Sequence, residues 1–178
     1  MVVLTNSFEQ ETIKEMIVVK DDNFFLVRSK RPGATYRILY YALKPWGAWC
    51  KVDILIPGAL NVPFVPINLV VHIQDMPLMP LFAVLLLKLQ GWTDHRDSER
   101  EDWQEKQYVD VDDIMELLKI IVNNHPYQIV GHQRWVPHSM ILAAQERVDE
   151  FVREQPGTKS GWLYIGFKVQ SKNRRHSV

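Results

Sequence analysis

One apolar run constrains the fold of this chain most strongly. Residues 49–56, WCKVDILI, end at Pro57-Gly58 and alternate as a β-strand does. One face of that strand carries its two charged residues and consists of Trp49, Lys51, Asp53 and Leu55. The other face is apolar enough for a core and consists of Cys50, Val52, Ile54 and Ile56. An ionised carboxylate inside a strand is costly unless a cation, a metal or several donors meet it. Asp53 is therefore either ion-paired, with Lys51 or an arginine of a neighbouring strand, or catalytic.

The composition describes a globular protein of ordinary size. The chain has 178 residues, of which 47% are hydrophobic, and this supports a single domain with one core. The charges of its 21 basic and 21 acidic residues cancel, so the protein as a whole does not attract a polyanion such as a nucleic acid. The single cysteine, Cys50, excludes an intrachain disulfide and predicts a buried thiol in a reducing compartment. Without a signal-peptide pattern or a bilayer-length apolar stretch, we expect a cytoplasmic protein with no membrane partner.

The first part of the chain, residues 1–75, reads as an α/β sheet part. Thr5-Asn6-Ser7 can cap a helix over residues 8–16, and residues 24–27 read as a short strand. Aromatic and β-branched residues at 35–43 predict a further strand. The short connection through Pro45-Trp46-Gly47 predicts that it pairs antiparallel with the strand at 49–56. The fold class expected is α+β, a small mixed sheet packed by helices.

The second part, residues 76–178, is predicted to be mainly helical within the same single domain. Residues 81–90 form an apolar helix that carries Lys88 and ends at Gly91. A charged stretch at 94–106 reads as a solvated loop or helix face, and an amphipathic helix follows at 111–122 with acids at its N-terminus. Helical periodicity covers 139–154, and alternation at 162–169 predicts a late strand.

Three features with possible catalytic roles follow one another along residues 1–121. They are the strand carboxylate Asp53, Lys88 within LLLKLQGW, and the acid pair Asp110 and Asp113 within VDVDDIMELL. In this order they resemble the nucleotidyltransferase-like proteins of the AbiEii toxin family, within the DNA polymerase β-like superfamily. In that family a strand aspartate precedes a helix with a lysine, and a charged loop leads to a helix with two acids. Lys106 and the charged stretch before it fit that loop.

The resemblance implies a nucleotidyltransferase-like fold, a nucleotide ligand and Mg²⁺. Two divalent cations bridge the phosphates in such transfer, so Asp53 would be a metal carboxylate and would act with Lys88 and Asp110 in catalysis. Lys51, Arg37 and Asp113 would contact the bound cofactor. If these residues share one cleft, the heads of Asp53, Lys88 and Asp110 should lie within about 10 Å of one another. The acceptor would be an RNA, a protein or a small molecule.

Two family motifs do not occur before Asp53. A glycine-serine or glycine-glycine phosphate-binding turn and an Asp-x-Asp strand are both missing, and Val2-Val3-Leu4-Thr5 resembles the residues directly after that aspartate pair. We therefore expect a degenerate or truncated domain with residual nucleotide or metal binding around Asp53. The alternatives are an active nucleotidyltransferase, or unrelated chemistry or a protein-interaction module on the same fold. The sequence does not indicate the oligomeric state.

Simpler interpretations also remain open for the individual residues. Lys88 fits a lysine whose stem packs on a helix while its head reaches water. Asp110 and Asp113 fit acids that stabilise the first turn of a helix. Asp94-His95-Arg96-Asp97 reads either as an acid-base site or as a charged surface loop. The histidines at 125, 132 and 138 lack a compact zinc spacing, and the basic tail from Lys168 to Arg175 could touch RNA or be disordered.

Overall fold

A computed structural model of the chain describes residues 2–5, 7–43, 47–125 and 128–169. The backbone divides into two compact units, Met1–Phe64 and Val65–Val178. The first combines one helix with a sheet, and the second consists mainly of helices. The α+β class predicted from the sequence is confirmed.

The first unit is a three-stranded antiparallel sheet with one helix. Helix α1 covers Gln10–Lys20, and strands β1, β2 and β3 cover Phe24–Arg28, Arg37–Leu43 and Ala48–Val52, in the spatial order β1-β2-β3. The alternating apolar side chains set the register: Leu26 pairs with Leu39, and Leu39 pairs with Val52. Ile13, Leu39 and Ile54 form the buried core of this unit. The predicted antiparallel pairing of the strand at 35–43 with the strand at 49–56, here β2 and β3, is confirmed.

Three details of this unit differ from the sequence predictions. The described strands form an antiparallel rather than a mixed sheet, since the parallel contact is an isolated bridge between Val2 and Leu55. Strand β3 ends at Val52, so Asp53 follows the strand instead of lying within it. Cys50 is exposed rather than buried, because β3 is an edge strand with only Val52 among its residues partly covered.

Helix α1 begins two residues later than predicted and is tied to β2 by charged groups. Its N-terminal flanking residue is Glu9, and Asn6 of the predicted cap lies outside the described residues. Buried Lys14 donates through Nζ to Glu11 Oε1 and to the backbone oxygen of Arg37, both at 2.6 Å. The Arg37 guanidinium donates to Glu11 Oε2 at 3.1 Å. Glu11 thus joins two cations from two elements.

This arrangement makes the stability of the first unit sensitive to acid. Burial raises the pKa of the Glu11 carboxyl, but hydrogen bonds from Lys14 and Arg37 outweigh burial and bring the pKa below its ordinary value of 4.5. A depressed pKa in the folded state stabilises the protein above the unfolded pKa, and that contribution is lost as the pH falls through the folded value. We expect Glu11→Gln to flatten the acid dependence of unfolding below about pH 4.5. Calorimetry across that range checks this, with the exposed Glu9→Gln as control; identical pH profiles for wild type and Glu11→Gln would contradict it.

The second unit packs helices around an aromatic core. Its helices are α2 (Leu81–Arg96), α3 (Glu101–Gln104), α4 (Lys106–Asn124), α5 (His138–Glu154) and α6 (Lys159–Tyr164), preceded by the hairpin β4 (Val71–Ile73) and β5 (Met76–Leu78). Helix α2 lies against both α4 and α5. Four aromatic rings meet in the core: Trp92 against Phe151 at 5.0 Å, Phe151 against Trp162 at 6.1 Å, and Trp162 against Phe167 at 5.7 Å between centroids.

Two helix boundaries and one element type in this unit also differ from prediction. Helix α2 continues through Gly91 to Arg96, because Trp92 is fully buried and anchors the next turn. Helix α4 begins at Lys106, before the predicted acidic start. The predicted strand at 162–169 is wrong: Trp162 lies in α6, and Trp162 and Ile165 are both buried at a helical spacing of three. Within the described residues, no helix combines the length and apolar content needed to cross a bilayer.

Candidate functional site

Helices α2 and α4 of the second unit bring together three residues that the sequence singled out. Lys88 extends from α2, and its Nζ lies 3.4 Å from Asp110 Oδ1 and 2.6 Å from Asp113 Oδ2. Asp110 and Asp113 are three residues apart on α4, so they share one face of that helix. Because α4 begins at Lys106, both acids lie beyond its first turn, and the interpretation of them as first-turn acids is wrong.

Asp110 is the buried centre of this cluster. Its side chain is only 8% exposed, and its two carboxylate oxygens have different partners. Oδ1 faces Lys88, and Oδ2 lies 2.5 Å from Nδ1 of His95. An ionised carboxylate can only accept, so Nδ1 of His95 donates and a neutral ring leaves Nε2 as an acceptor. The buried acid therefore fixes the orientation of both a lysine and a histidine.

Sequence reasoning missed His95 as a member of this cluster. It placed His95 in a charged stretch, whereas the structure places it in the last turn of α2. The available signal was spacing, since Lys88 and His95 are seven residues, or two helical turns, apart. The His95 ring also meets the Trp103 ring edge to face, at 5.5 Å between centroids. Trp103 thus covers one side of the imidazole.

The Lys88 ammonium of this cluster is surrounded by carboxylates that outnumber it. Burial lowers the pKa of the Lys88 ammonium, but the carboxylates of Asp113 and Asp110 outweigh burial and keep the pKa above 10.5. The Lys88 side chain is 39% exposed and that of Asp113 is 43% exposed, so water reaches this end of the cluster. One ammonium and two carboxylates carry a net charge of about −1 when His95 is neutral.

A second ionic group on α2 links this helix to α5. The Arg96 guanidinium donates to Asp97, to Glu150 at 2.8 Å and to Glu154 at 3.3 Å, and it lies 4.6 Å from the centroid of Trp92. Its hydrogen bonds to Asp97 are the main reason that the pKa of Arg96 is raised, and burial opposes them. These carboxylates all belong to the second unit. Arg96 therefore ties the last turn of α2, which also carries His95, to α5.

The other predicted site residues belong to the first unit. Lys51 Nζ lies 2.8 Å from Asp53 Oδ1, and the Asp53 side chain is 68% exposed, as expected of an ion-paired carboxylate. Arg37 pairs with Glu11 and with Glu15 at 2.5 Å. The convergence of Asp53 with Lys88 and Asp110 stays a prediction.

Neither a preformed metal site nor a likeness to known proteins accompanies this geometry. Among the residues that the structure describes, no three histidine, cysteine, aspartate or glutamate side chains are grouped closely enough to hold a metal ion. No family model, curated protein or solved structure matches the chain. The cluster of Lys88, Asp110, Asp113 and His95, which we call the α2–α4 cluster, is therefore interpreted from its own chemistry.

Proposed function

We propose that this protein is a nucleotidyltransferase-like domain that binds a nucleotide together with Mg²⁺ and transfers the nucleotidyl group poorly. The observation that supports this proposal is the α2–α4 cluster. Lys88, Asp110 and Asp113 were selected by their order and spacing in the sequence, and they meet on two packed helices. Lys88 and Asp110 lie 22 residues apart in the sequence, and the packing of α2 against α4 brings their side chains together.

The role of Lys88 in this proposal is to meet a phosphate oxygen. A lysine is a compact, strongly hydrated charge and binds phosphate as a point charge. Asp110 holds the Lys88 head from the buried side, and Asp113 holds it from the exposed side. A phosphate would therefore approach through the exposed side and compete with Asp113 for the ammonium.

The charge of the cluster explains why Mg²⁺ belongs in the proposal. A bare triphosphate carries several negative charges and would be repelled by the cluster, whose charge is about −1 when His95 is neutral. A divalent cation bound to the phosphates reduces that repulsion. Mg²⁺ is often held by one or two carboxylates plus substrate phosphates. The assignment of Asp53 to this ion stays a prediction of the resemblance.

Poor transfer follows from the number of carboxylates. Two-metal catalysis needs the attacking oxygen and the leaving oxygen to be held by two cations at once. Residues 1–52 contain no Asp-x-Asp pair, because Asp21 and Asp22 are adjacent and follow α1 directly. For residues 1–178 on their own, we therefore propose one bound cation and weak catalysis.

We expect Lys88→Met to weaken nucleotide binding at least about tenfold, because the apolar stem is kept and only the phosphate-binding charge is lost. Isothermal titration of the purified chain with each of the four ribonucleoside triphosphates, with and without Mg²⁺, measures this. The matched control is Lys119→Met on α4, an exposed lysine whose carboxylate partner, Glu116, lies 3.7 Å away.

Two results would contradict the proposal. One is the absence of saturable binding for all four nucleotides in the presence of Mg²⁺. The other is an equal loss of affinity in the Lys88 and Lys119 variants, which would indicate general electrostatics. Label transfer from a radioactive triphosphate, compared between wild type and Asp53→Asn, separates weak catalysis from none.

A further inference from the structure

The sheet of the first unit carries three aromatic rings on the face opposite its core. Leu39 packs in the core with α1, so the next side chain along β2, Tyr40, lies on the other face. There the register places Phe25, Tyr40 and Lys51 side by side across the three strands, with Trp49 in the next row. The ring centroids of Phe25, Tyr40 and Trp49 lie 5.7–5.8 Å apart in each pair. We call this side of the sheet the aromatic face.

The aromatic face is open to solvent. Among the described side chains that β1, β2 and β3 place on it, none is buried, and Trp49 is 63% exposed. Contacts with Phe25 and Tyr40 restrict the orientation of the indole while most of its surface stays accessible. A side chain that is already restricted loses little conformational entropy when it binds, so this indole is prepared to pack against a further flat group.

The charge of the sheet segment differs from that of the whole chain, whose net charge is zero. Residues 24–53 contain six basic side chains and one acidic side chain, that of Asp53. Of the six acidic residues within residues 1–64, the other five lie at positions 9–22, in or next to α1. Positive and negative charges of this unit are thus segregated along the sequence, and the sheet segment attracts a polyanion that the chain as a whole does not.

Two of these cations lie at the aromatic face. Lys51 is part of it, and Lys51 and Arg31 both act on the hydroxyl of the exposed Tyr36. A hydrogen bond with Ser29 is the main reason that the pKa of Tyr36 lies below its ordinary value of 10, and the two cations lower this pKa further, against desolvation. Lys51 also pairs with Asp53, but an exposed ion pair contributes little, so a phosphate can displace that carboxylate.

We propose that the aromatic face binds single-stranded RNA. Bases stack on the indole of Trp49 and on the rings beside it, and Lys51 and Arg31 contact phosphates. Unpaired bases offer the flat surfaces that such rings require, and RNA presents them in loops, bulges and ends. A second copy of this chain is disfavoured as the occupant, because two such faces would bring like charges together. The proposal concerns the first unit and is independent of the nucleotide-binding function.

Fluorescence anisotropy of a labelled, unstructured pyrimidine RNA of about ten nucleotides tests the proposal on the full-length chain. We expect saturable binding, and much weaker binding of duplex RNA of the same length. Trp49→Ala should weaken binding of the single strand at least about tenfold, whereas Trp49→Phe should keep most of the affinity because a phenyl ring still stacks. The matched control is Tyr108→Ala on α4 in the second unit, where Tyr108 is 69% exposed; it should bind as wild type does.

Arg31→Gln tests the phosphate contact separately from stacking. The slope of log affinity against log salt concentration should become shallower by about 0.7, the value for one phosphate contact to a single strand. Lys119→Gln, at an exposed position on α4, should leave the slope unchanged. Ultraviolet cross-linking of the wild type, read by mass spectrometry, gives a result that needs no variant, and the cross-links should lie within residues 24–52.

Five results would overturn the proposal. They are the absence of saturable binding, equal affinities for single-stranded and duplex RNA, equal affinities of folded Trp49→Ala and Tyr108→Ala, and cross-links confined to the basic residues 168–175. The fifth is binding of phosphatidylserine vesicles that depends on Trp49 when RNA binding does not, which would assign the face to a lipid surface. Circular dichroism checks the fold of each variant.

Discussion

Replacing Trp162 with alanine is expected to lower the free energy of unfolding of the second unit by about 4 kcal/mol. The Trp162 side chain is fully buried and packs edge to face against both Phe151 and Phe167. Its loss removes a large apolar contact between α5 and α6 and leaves a cavity that helices on both sides cannot close. Calorimetry and denaturant unfolding measure the effect. Each unit has its own core, so the unfolding curves should be fitted with a separate transition for each unit.

Two matched substitutions separate packing from other causes. Leu163→Ala, on the same helix with a side chain 47% exposed, should change stability by less than about 1 kcal/mol. Trp162→Phe should cost much less than alanine, because the indole Nε1 is buried without a partner in the described residues and its removal orphans no other group. A loss for Trp162→Ala as small as that for Leu163→Ala would refute this account of the core.

The substitution Gly161→Ala is expected to destabilise the second unit by up to about 2 kcal/mol, although alanine is the better helix former. A Cβ at position 161 would lie 2.8 Å from Cδ2 and 2.9 Å from Cγ of Leu118. Leu118 is itself buried on α4, and its Cγ cannot move away without repacking. The overpacking cost of about 1–3 kcal/mol therefore exceeds the gain of roughly 1 kcal/mol in helix propensity.

Gly91→Ala supplies the control for that result. Gly91 lies in the interior of α2, where a Cβ would meet Asp110 Oδ2 at 3.8 Å, an ordinary contact distance. It should stabilise the unit by about 0.5–1 kcal/mol through helix propensity. Chemical denaturation of both variants measures the opposite signs, and a stabilising effect at both positions would show that α4 and α6 are not in close contact.

The sequence predicted those parts of the fold in which local pattern and tertiary packing agree. Helix α5 was expected at 139–154 and covers His138–Glu154, and strands β1 and β2 lie within two residues of their predicted bounds. The prediction failed where one pattern fits two structures. Residues 162–169 alternate, yet Trp162 and Ile165 also have helical spacing, and burial of both in the core of the second unit selects the helix.

The candidate site was predicted in part for a similar reason. The contact of Lys88 with Asp110 and Asp113 follows from apolar helices that present a few polar positions to their partner. His95 was missed because a dense run of charge predicts solvent exposure, whereas in the structure the start of that run forms the last turn of α2, where His95 contacts Asp110. Asp53 lies beyond the end of β3, because the last cross-strand pair of β3 joins Val52 to Leu39.

The exposed position of Cys50 on the edge strand β3 affects how this protein should be handled. An exposed thiol with no second cysteine in the chain can form a disulfide only with another molecule, and in air that molecule is readily a second copy. Gel filtration would not distinguish this disulfide-linked dimer from a non-covalent dimer. Measurements of self-association therefore require a reductant or Cys50→Ser, and the same thiol offers a single attachment point for a fluorescent label that would follow the first unit alone.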